Sequence, residues 1–147
     1  MSYKPKILPN TIVSFQANYI DDDGKPTKKR FHLVIKVDEK SQELVLLKIT
    51  SKWKNYFLQA KLGLVECLLK PSFVILNRII VFDLTTLKTD DYSHKFRICQ
   101  LHEISSCLET PRFTKIVYKL EKFWKNKLNR DKRIIRLKSD NLKTLTD

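Results

Sequence analysis

Four side chains at the ends of two neighbouring apolar stretches could together bind a phosphate group. They are an arginine, two hydroxyl residues and a lysine: Arg30, Thr50, Ser51 and Lys52. The stretches RFHLVIKV (30–37) and ELVLLKIT (43–50) are joined by the polar segment DEKSQ (38–42), which predicts a β-hairpin whose register sets Arg30 opposite Thr50. The arginine fork matches phosphate oxygens, and the hydroxyls and the lysine would add donors and charge. The alternative is an exposed arginine and threonine at a strand end, with no further role.

A histidine lies within reach of the same strand end. His32 follows Arg30 by two residues, so the period of a strand predicts that both side chains lie on one face. Its ordinary pKa is near neutral, which suits proton transfer, although a surface histidine with no role is the alternative. The remaining histidines, His94 and His102, lack the spacing of metal ligands, so we expect neither a metal nor another cofactor.

The charge balance favours a polyanionic partner. The chain has 147 residues, with 29 Lys+Arg against 16 Asp+Glu and a formal net charge of +13. Nucleic acid fits this excess through phosphate neutralisation, while an anionic membrane surface, an acidic protein or a merely basic soluble protein would fit it too. Three scattered cysteines predict free thiols in a reducing cytosol, and the apolar stretches are too short to span a membrane, so we expect a cytoplasmic protein.

The hydrophobic pattern predicts a single mainly β domain over residues 1–147 that ends in a helix. Strands are expected at 11–20, 30–37, 43–50, 72–82 and 94–101. In the hairpin, the residues expected to face the core are Phe31, Leu33, Ile35, Val37, Leu47 and Ile49. Helical spacing over 113–128 turns Ile116, Leu120 and Phe123 inward, with Thr110 as the N-cap and Pro111 as the first helical residue. We expect a small, strongly bent barrel plus helix over 9–128 and a basic, loosely ordered tail over 129–147.

Three blocks of the chain resemble the MazF/PemK family of endoribonuclease toxins. The blocks are PNTIVSFQANYI (9–20), the pair RFHLVIKV and ELVLLKIT, and GLVECLLKPSFVILNRIIVFDLTTL (63–87). They correspond to that family's first strand, its arginine-headed strand with the following strand that ends in threonine, and its glycine-led segment with a long apolar strand. The likeness extends over roughly residues 9 to 127, and KITSKW is also similar to the related ToxN-type ribonuclease toxins.

This resemblance implies an SH3-like barrel that cleaves single-stranded RNA without a metal, at selected sequences, to 2′,3′-cyclic phosphate and 5′-hydroxyl ends. Arg30 and Thr50 match the positions that carry the reaction in the family, and Ser51 and His32 are further candidates beside them. The residues expected to contact RNA are Lys28, Lys29, Lys52, Trp53 and Arg78. The resemblance also implies a homodimer and a cognate antitoxin, either an acidic protein or an RNA. The alternatives are a non-catalytic nucleic-acid-binding barrel and a basic protein-interaction domain.

Overall fold

The structure, a computed structural model of the chain, describes residues 5–17, 28–53, 59–63, 68, 70–98, 111–125 and 134–145, and at 63, 111–113 and 123–125 the backbone alone. These residues form a mainly β fold. Its strands are β1 Ile12–Phe15, β2 Arg30–Asp38, β3 Glu43–Thr50, β4 Gln59–Gly63, β5 Ser72–Ile75, β6 Ile79–Asp83, β7 Arg97–Ile98 and β8 Ile134–Leu137. Its α-helices are α1 Asp91–His94 and α2 Pro111–Lys125, and short 3-10 turns lie at Leu84–Thr86 and Ser139–Asn141.

The strands form one sheet that is mostly antiparallel. Its main path runs β4-β5-β3-β2-β1-β7. Strands β5 and β6 pair with the same edge of β3, β5 with residues 49–50 and β6 with residues 43–46. Strand β8 extends the sheet beyond β6 and is parallel to it. Among the described residues, strands β4, β7 and β8 each pair on one side only, and no pairing closes the sheet. Closure into a barrel therefore stays a prediction.

The β2–β3 hairpin has the turn and the register that its sequence predicts. At the turn, the backbone N–H groups of Lys40 and Ser41 donate to the Asp38 carboxylate at 3.0 and 3.2 Å, and Gln42 adopts a positive φ of 57°. Towards the open end, His32 pairs with Lys48. The turn is thus closed locally by an aspartate that satisfies the free amides, which is a common role of this residue type.

Both faces of the central strands are buried, whereas the alternation in the sequence predicts one core face. A first core lies on one face: Ile12, Leu33, Leu47, Ile49, Ala60, Leu62, Leu68, Val74, Leu76, Ile116 and Leu120. A second core lies on the other face: Ile7, Val13, Phe15, Ala17, Val34, Leu44, Leu46, Ile80, Phe82, Leu87, Phe96, Leu137 and Leu142. Strands covered on both faces read as continuous apolar runs, as β2 and β3 do.

A β-bulge in β2 corrects one of the predicted core faces. Leu33 belongs to the first core, and Phe31 and Ile35 pack against it as expected. Val37 packs against the second core instead, because the register with β3 shifts between Val34 and Lys36. An extra residue in one strand turns every later side chain to the opposite face.

Helix α2 closes the first core as its periodicity predicts. It begins at Pro111, and Ile116 and Leu120 are buried in the first core. Thr110, the side chain of Phe123 and residues 126–128 lie outside the described part of the structure. No helix among the described residues has both the length and the apolar character needed to cross a membrane.

Two predicted strands differ from the structure. The stretch 72–82, expected to be one strand, is divided into β5 and β6 by the segment 76–78. The stretch 94–101 contains only the short strand β7 within its described part, since the chain before it forms helix α1; residues 99–101 are not described. The pairing register shows the reason for the division, because β5 and β6 pair with β3 in registers that differ by three residues.

Residues 134–145 form regular structure, where the sequence predicts a loose tail over 129–147; residues 129–133 and 146–147 lie outside the described part of the chain. Residues 134–145 add strand β8 and bury Leu137, Leu142 and Leu145. Beyond β8, the Lys143 N–H donates to the Gln16 carbonyl at 2.8 Å and the Leu145 N–H donates to the His94 carbonyl at 2.7 Å. The segment therefore covers the second core, and the sheet extends past residue 128.

Replacing Leu120 by alanine should destabilise the protein by about 2–5 kcal/mol, because the side chain is only 8% exposed and its removal leaves a cavity in the first core. Urea unfolding of the two proteins measures the difference. Leu8→Ala is the matched control, since Leu8 is 44% exposed and its loss should change the free energy of unfolding by less than about 0.5 kcal/mol. Equal effects of the two substitutions would contradict the burial of Leu120.

Candidate nucleic-acid interface

Arg30 begins β2 and Thr50 ends β3, so both lie at the open end of the hairpin. The pairing of the two strands ends at His32–Lys48, two residues before the expected Arg30–Thr50 pair. On the other side of β2, Arg30 pairs with Phe15 of β1. Both Arg30 and Thr50 are half-buried, so each has part of its side chain in contact with solvent. The register up to His32–Lys48 is the predicted one, and direct contact between Arg30 and Thr50 stays a prediction.

The Thr50 hydroxyl is oriented by a local turn. The backbone N–H of Lys52 donates to the Thr50 hydroxyl oxygen at 3.2 Å. A hydroxyl that accepts in this way can still donate its own hydrogen to a second group. Ser51 and Lys52 follow on the exposed side of the turn, where a phosphate could reach them.

An aromatic pair lies beside Thr50. Thr50 pairs across the sheet with Phe73 of β5, and Phe73 pairs in turn with Lys61 of β4. The ring of Trp53 packs on Phe73 with centroids 5.1 Å apart and an interplanar angle of 55°, yet Trp53 remains 57% exposed. The Gln59 side-chain amide donates to the Lys52 carbonyl at 3.1 Å and so holds the segment that carries Trp53.

These side chains define what we name the Thr50 surface. Its members are Arg30, Thr50, Lys52, Trp53, Lys61 and Phe73. It lies opposite the first core, because the residues that alternate with Thr50, Phe73 and Lys61 belong to that core: Ile49, Val74, Ala60 and Leu62. The sequence analysis missed Phe73 and Lys61. Strand alternation indicates their face, but only the pairing of β3, β5 and β4 reveals that they adjoin Thr50.

The charges of the Thr50 surface are all positive. The stretches that form it, 28–31, 50–53, 59–63 and 72–75, contain no aspartate or glutamate. Lys28 and Lys29 are exposed and lead directly into Arg30, so the chain brings them to the same end of the sheet. Exposed aromatic rings beside a set of cations are the combination with which proteins bind single-stranded nucleic acid.

Arg78 lies outside the strands that form the Thr50 surface. It is half-buried in the segment 76–78 between β5 and β6. The registers of β5 and β6 with β3 differ by three residues across this segment, so neither register gives the position of Arg78 relative to β3. A contact of Arg78 with RNA stays a prediction.

His32 is not a surface histidine. Its side chain is fully buried, and its ring stacks on Phe15 at a centroid distance of 3.9 Å and an angle of 2°. Burial, followed by the positive charge of Lys48, lowers the pKa of His32 from 6.5 to about 3. The imidazole is therefore neutral at pH 7 and shielded from solvent. Proton transfer to a bound substrate requires contact with the substrate or with solvent, which this buried ring lacks, so the expected role of His32 in proton transfer is not supported.

Within the described ranges, no three His, Cys, Asp or Glu side chains are grouped so that they could hold a metal ion.

The side chains of the Thr50 surface suit binding of a phosphodiester to Arg30, Lys52 and the Thr50 hydroxyl, with bases against Trp53 and Phe73.

Comparison of the chain with protein-family models, with curated proteins and with solved structures finds no match in any of the three.

Proposed function

We propose that this protein is a metal-independent endoribonuclease toxin that cleaves single-stranded RNA on an SH3-like barrel of the MazF/PemK type. The observation that carries the proposal is the β2–β3 register, which ends at His32–Lys48 and directs Arg30 and Thr50 to the same end and face of the sheet, beside the exposed ring of Trp53. The sequence resemblance assigns the reaction to these same two positions. The register supports that assignment independently, because it depends on strand pairing alone.

Substrate binding follows from the aromatic rings and the cations. Bases of a single strand would stack on Trp53 and Phe73, a contact that accepts any base because each base has a π-face. Lys52 and Lys61 would neutralise phosphates on either side, with Lys28 and Lys29 adding charge at the edge. Paired bases within a duplex do not present these faces, so the surface favours single strands.

The chemical step uses the 2′-hydroxyl of the RNA itself. The 2′-oxygen forms a bond to the adjacent phosphorus, and the bond from phosphorus to the 5′-oxygen of the next nucleotide breaks. The 2′-hydroxyl proton passes to solvent and the departing 5′-oxygen takes a proton from solvent, which leaves a 2′,3′-cyclic phosphate and a 5′-hydroxyl. Arg30 keeps its own proton and stabilises the negative phosphorane, while the Thr50 hydroxyl donates to a phosphorane oxygen.

A second candidate is a nucleic-acid-binding domain that does not cut. The burial of His32 favours it, because this imidazole, the candidate for proton transfer beside Arg30, is shielded from solvent and neutral. A third candidate, a basic protein-interaction domain, predicts no retention on RNA at moderate salt.

End mapping of a long single-stranded RNA incubated with the purified protein in EDTA tests the proposal. We expect cuts at selected sequences that carry 2′,3′-cyclic phosphate and 5′-hydroxyl ends. The same RNA annealed to its complement is the control and should remain intact. Binding without cuts would replace the nuclease by the second candidate, and absence of binding would leave the third.

The proposal includes a homodimer and an antitoxin. An acidic antitoxin segment, or an antitoxin RNA, would cover the positive Thr50 surface through the same contacts as the substrate. The homodimer depends on the family resemblance, because both faces of the central strands are already buried within one chain. Sedimentation at micromolar concentration should give the mass of two chains, and a single-chain mass would contradict the dimer.

A further inference from the structure

The solvent side of helix α2 carries lysines arranged around an exposed tyrosine. We name this set the α2 stripe, and its members are Lys115, Tyr118, Lys119 and Lys122. All four are exposed, and Tyr118 is 63% exposed. Their spacing of three and four residues aligns them on one side of the helix. Ile116 and Leu120 occupy the opposite side, in the first core. The stripe is therefore free of any role in covering that core.

We propose that the RNA-contact surface extends onto the α2 stripe, where the lysines hold backbone phosphates and Tyr118 stacks on a base. The inference rests on the proposed RNA substrate and adds a second contact site for it. Strand β4 links the two sites: Ala60 and Leu62 face the first core that α2 closes, whereas Lys61 belongs to the Thr50 surface. Strand β4 pairs on one side only among the described strands, and in this proposal the RNA runs over that edge from one site to the other.

RNA fits the α2 stripe better than an acidic protein segment does. Three lysines three and four residues apart repel one another on a helix, and any polyanion would relieve that repulsion. The exposed ring of Tyr118, which lies between these lysines, distinguishes RNA from an acidic protein segment as the partner. An aromatic ring flanked by cations matches alternating bases and phosphates, whereas a run of carboxylates has nothing to stack on Tyr118.

The charge part of the proposal is tested with a single-stranded 2′-deoxy oligonucleotide of about 16 nucleotides, the upper site size of oligonucleotide-binding (OB) folds. This probe lacks the attacking hydroxyl, so binding is measured without cleavage. The variant K115Q/K119Q/K122Q should bind with a slope of log affinity against log salt that is less steep by about 2, because three phosphate contacts are lost. The variant K36Q/K40Q/K88Q removes the same charge from other exposed lysines and should keep the wild-type slope.

The aromatic part is tested with Tyr118→Ala, which should weaken binding of the same probe about 5- to 150-fold, the range for loss of one base stack. Tyr118→Phe keeps the ring and should bind as the wild type does. Thermal unfolding of each variant should match that of the wild type, because all the substituted side chains are exposed.

Each outcome decides between the alternatives. Equal changes in slope for the two triple variants would mean that net charge alone matters, which overturns the α2 stripe as a site. An unchanged slope in K115Q/K119Q/K122Q overturns it too and favours an acidic protein partner there. If the wild type fails to bind the probe, the result contradicts both the α2 stripe as a contact site and RNA as the substrate. If it binds as expected but leaves RNA uncut, the α2 stripe stands and only the nuclease is lost.

Discussion

Replacing Arg30 by alanine is expected to lower the rate of RNA cleavage about 10²- to 10³-fold, because the developing charge of the phosphorane loses its oriented donor. Arg30 is half-buried at the start of β2 and its guanidinium Nε is buried, so a loss of activity has to be separated from a loss of stability. Initial rates on a defined RNA in EDTA, with thermal unfolding of both proteins, measure the two effects. Arg30→Lys keeps the charge but not the fork of donors, so its rate should lie between those of the wild type and the alanine variant.

Thr50 provides the companion test. Thr50→Val keeps the shape of the side chain and deletes its hydroxyl, so it should also slow cleavage severely, whereas Thr50→Ser should retain most of the rate. Binding of an uncleavable 2′-deoxy strand should change little in Thr50→Val, which separates a loss of chemistry from a loss of affinity. If Arg30→Ala cuts as fast as the wild type, the hairpin is not the catalytic site and the binding-only candidate takes its place.

Acid should destabilise the protein through His32. The imidazole has a pKa of about 3 when folded and 6.5 when unfolded, so between these values the unfolded chain binds a proton that the folded chain does not. Stability then rises with pH across this window and is lost as the pH falls below 6.5. The full effect is at most about 5 kcal/mol, and the first about 2 kcal/mol should be lost between pH 7 and about pH 5.

Urea unfolding at a series of pH values measures this dependence. In His32→Phe an apolar ring occupies the place of the imidazole against Phe15, and the decline in unfolding free energy from pH 7 to about pH 5 should be smaller by about 2 kcal/mol than in the wild type. His94→Gln is the control, because His94 is exposed and its replacement should leave the decline unchanged. Identical pH profiles for the wild type and His32→Phe would show that the histidine is not buried as described.

The local elements of this fold could be predicted from the sequence because their signals are local. Asp38 and the polar residues after it define the hairpin turn, and the turn sets which residues of β2 and β3 are opposite one another. That was sufficient to predict that Arg30 and Thr50 lie at the same end of the hairpin. The apolar period after Pro111 likewise determined a helix and the side of it that packs inward, since helical contacts join residues only three or four apart.

Tertiary structure decided everything that depends on which distant strands pair. The sequence alone indicates that Phe73 and Lys61 alternate with core residues, but their place beside Thr50 follows from the order of β3, β5 and β4. His32 became a buried, neutral group because a second core covers its face of the sheet.

The C-terminal segment is a further case in which the sequence does not identify the pairing partner of a strand. Strand β8 pairs with β6, whose residues lie more than fifty positions earlier in the chain, and hydrophobicity alone does not identify that partner. The sequence by itself thus determined the turn, the hairpin register and the amphipathic helix, whose contacts join near neighbours. Pairing between distant strands decided which faces are buried. The hydrophobic effect has no direction, so an apolar side chain can pack against any apolar surface, and only the assembled sheet determines which surface lies next to it.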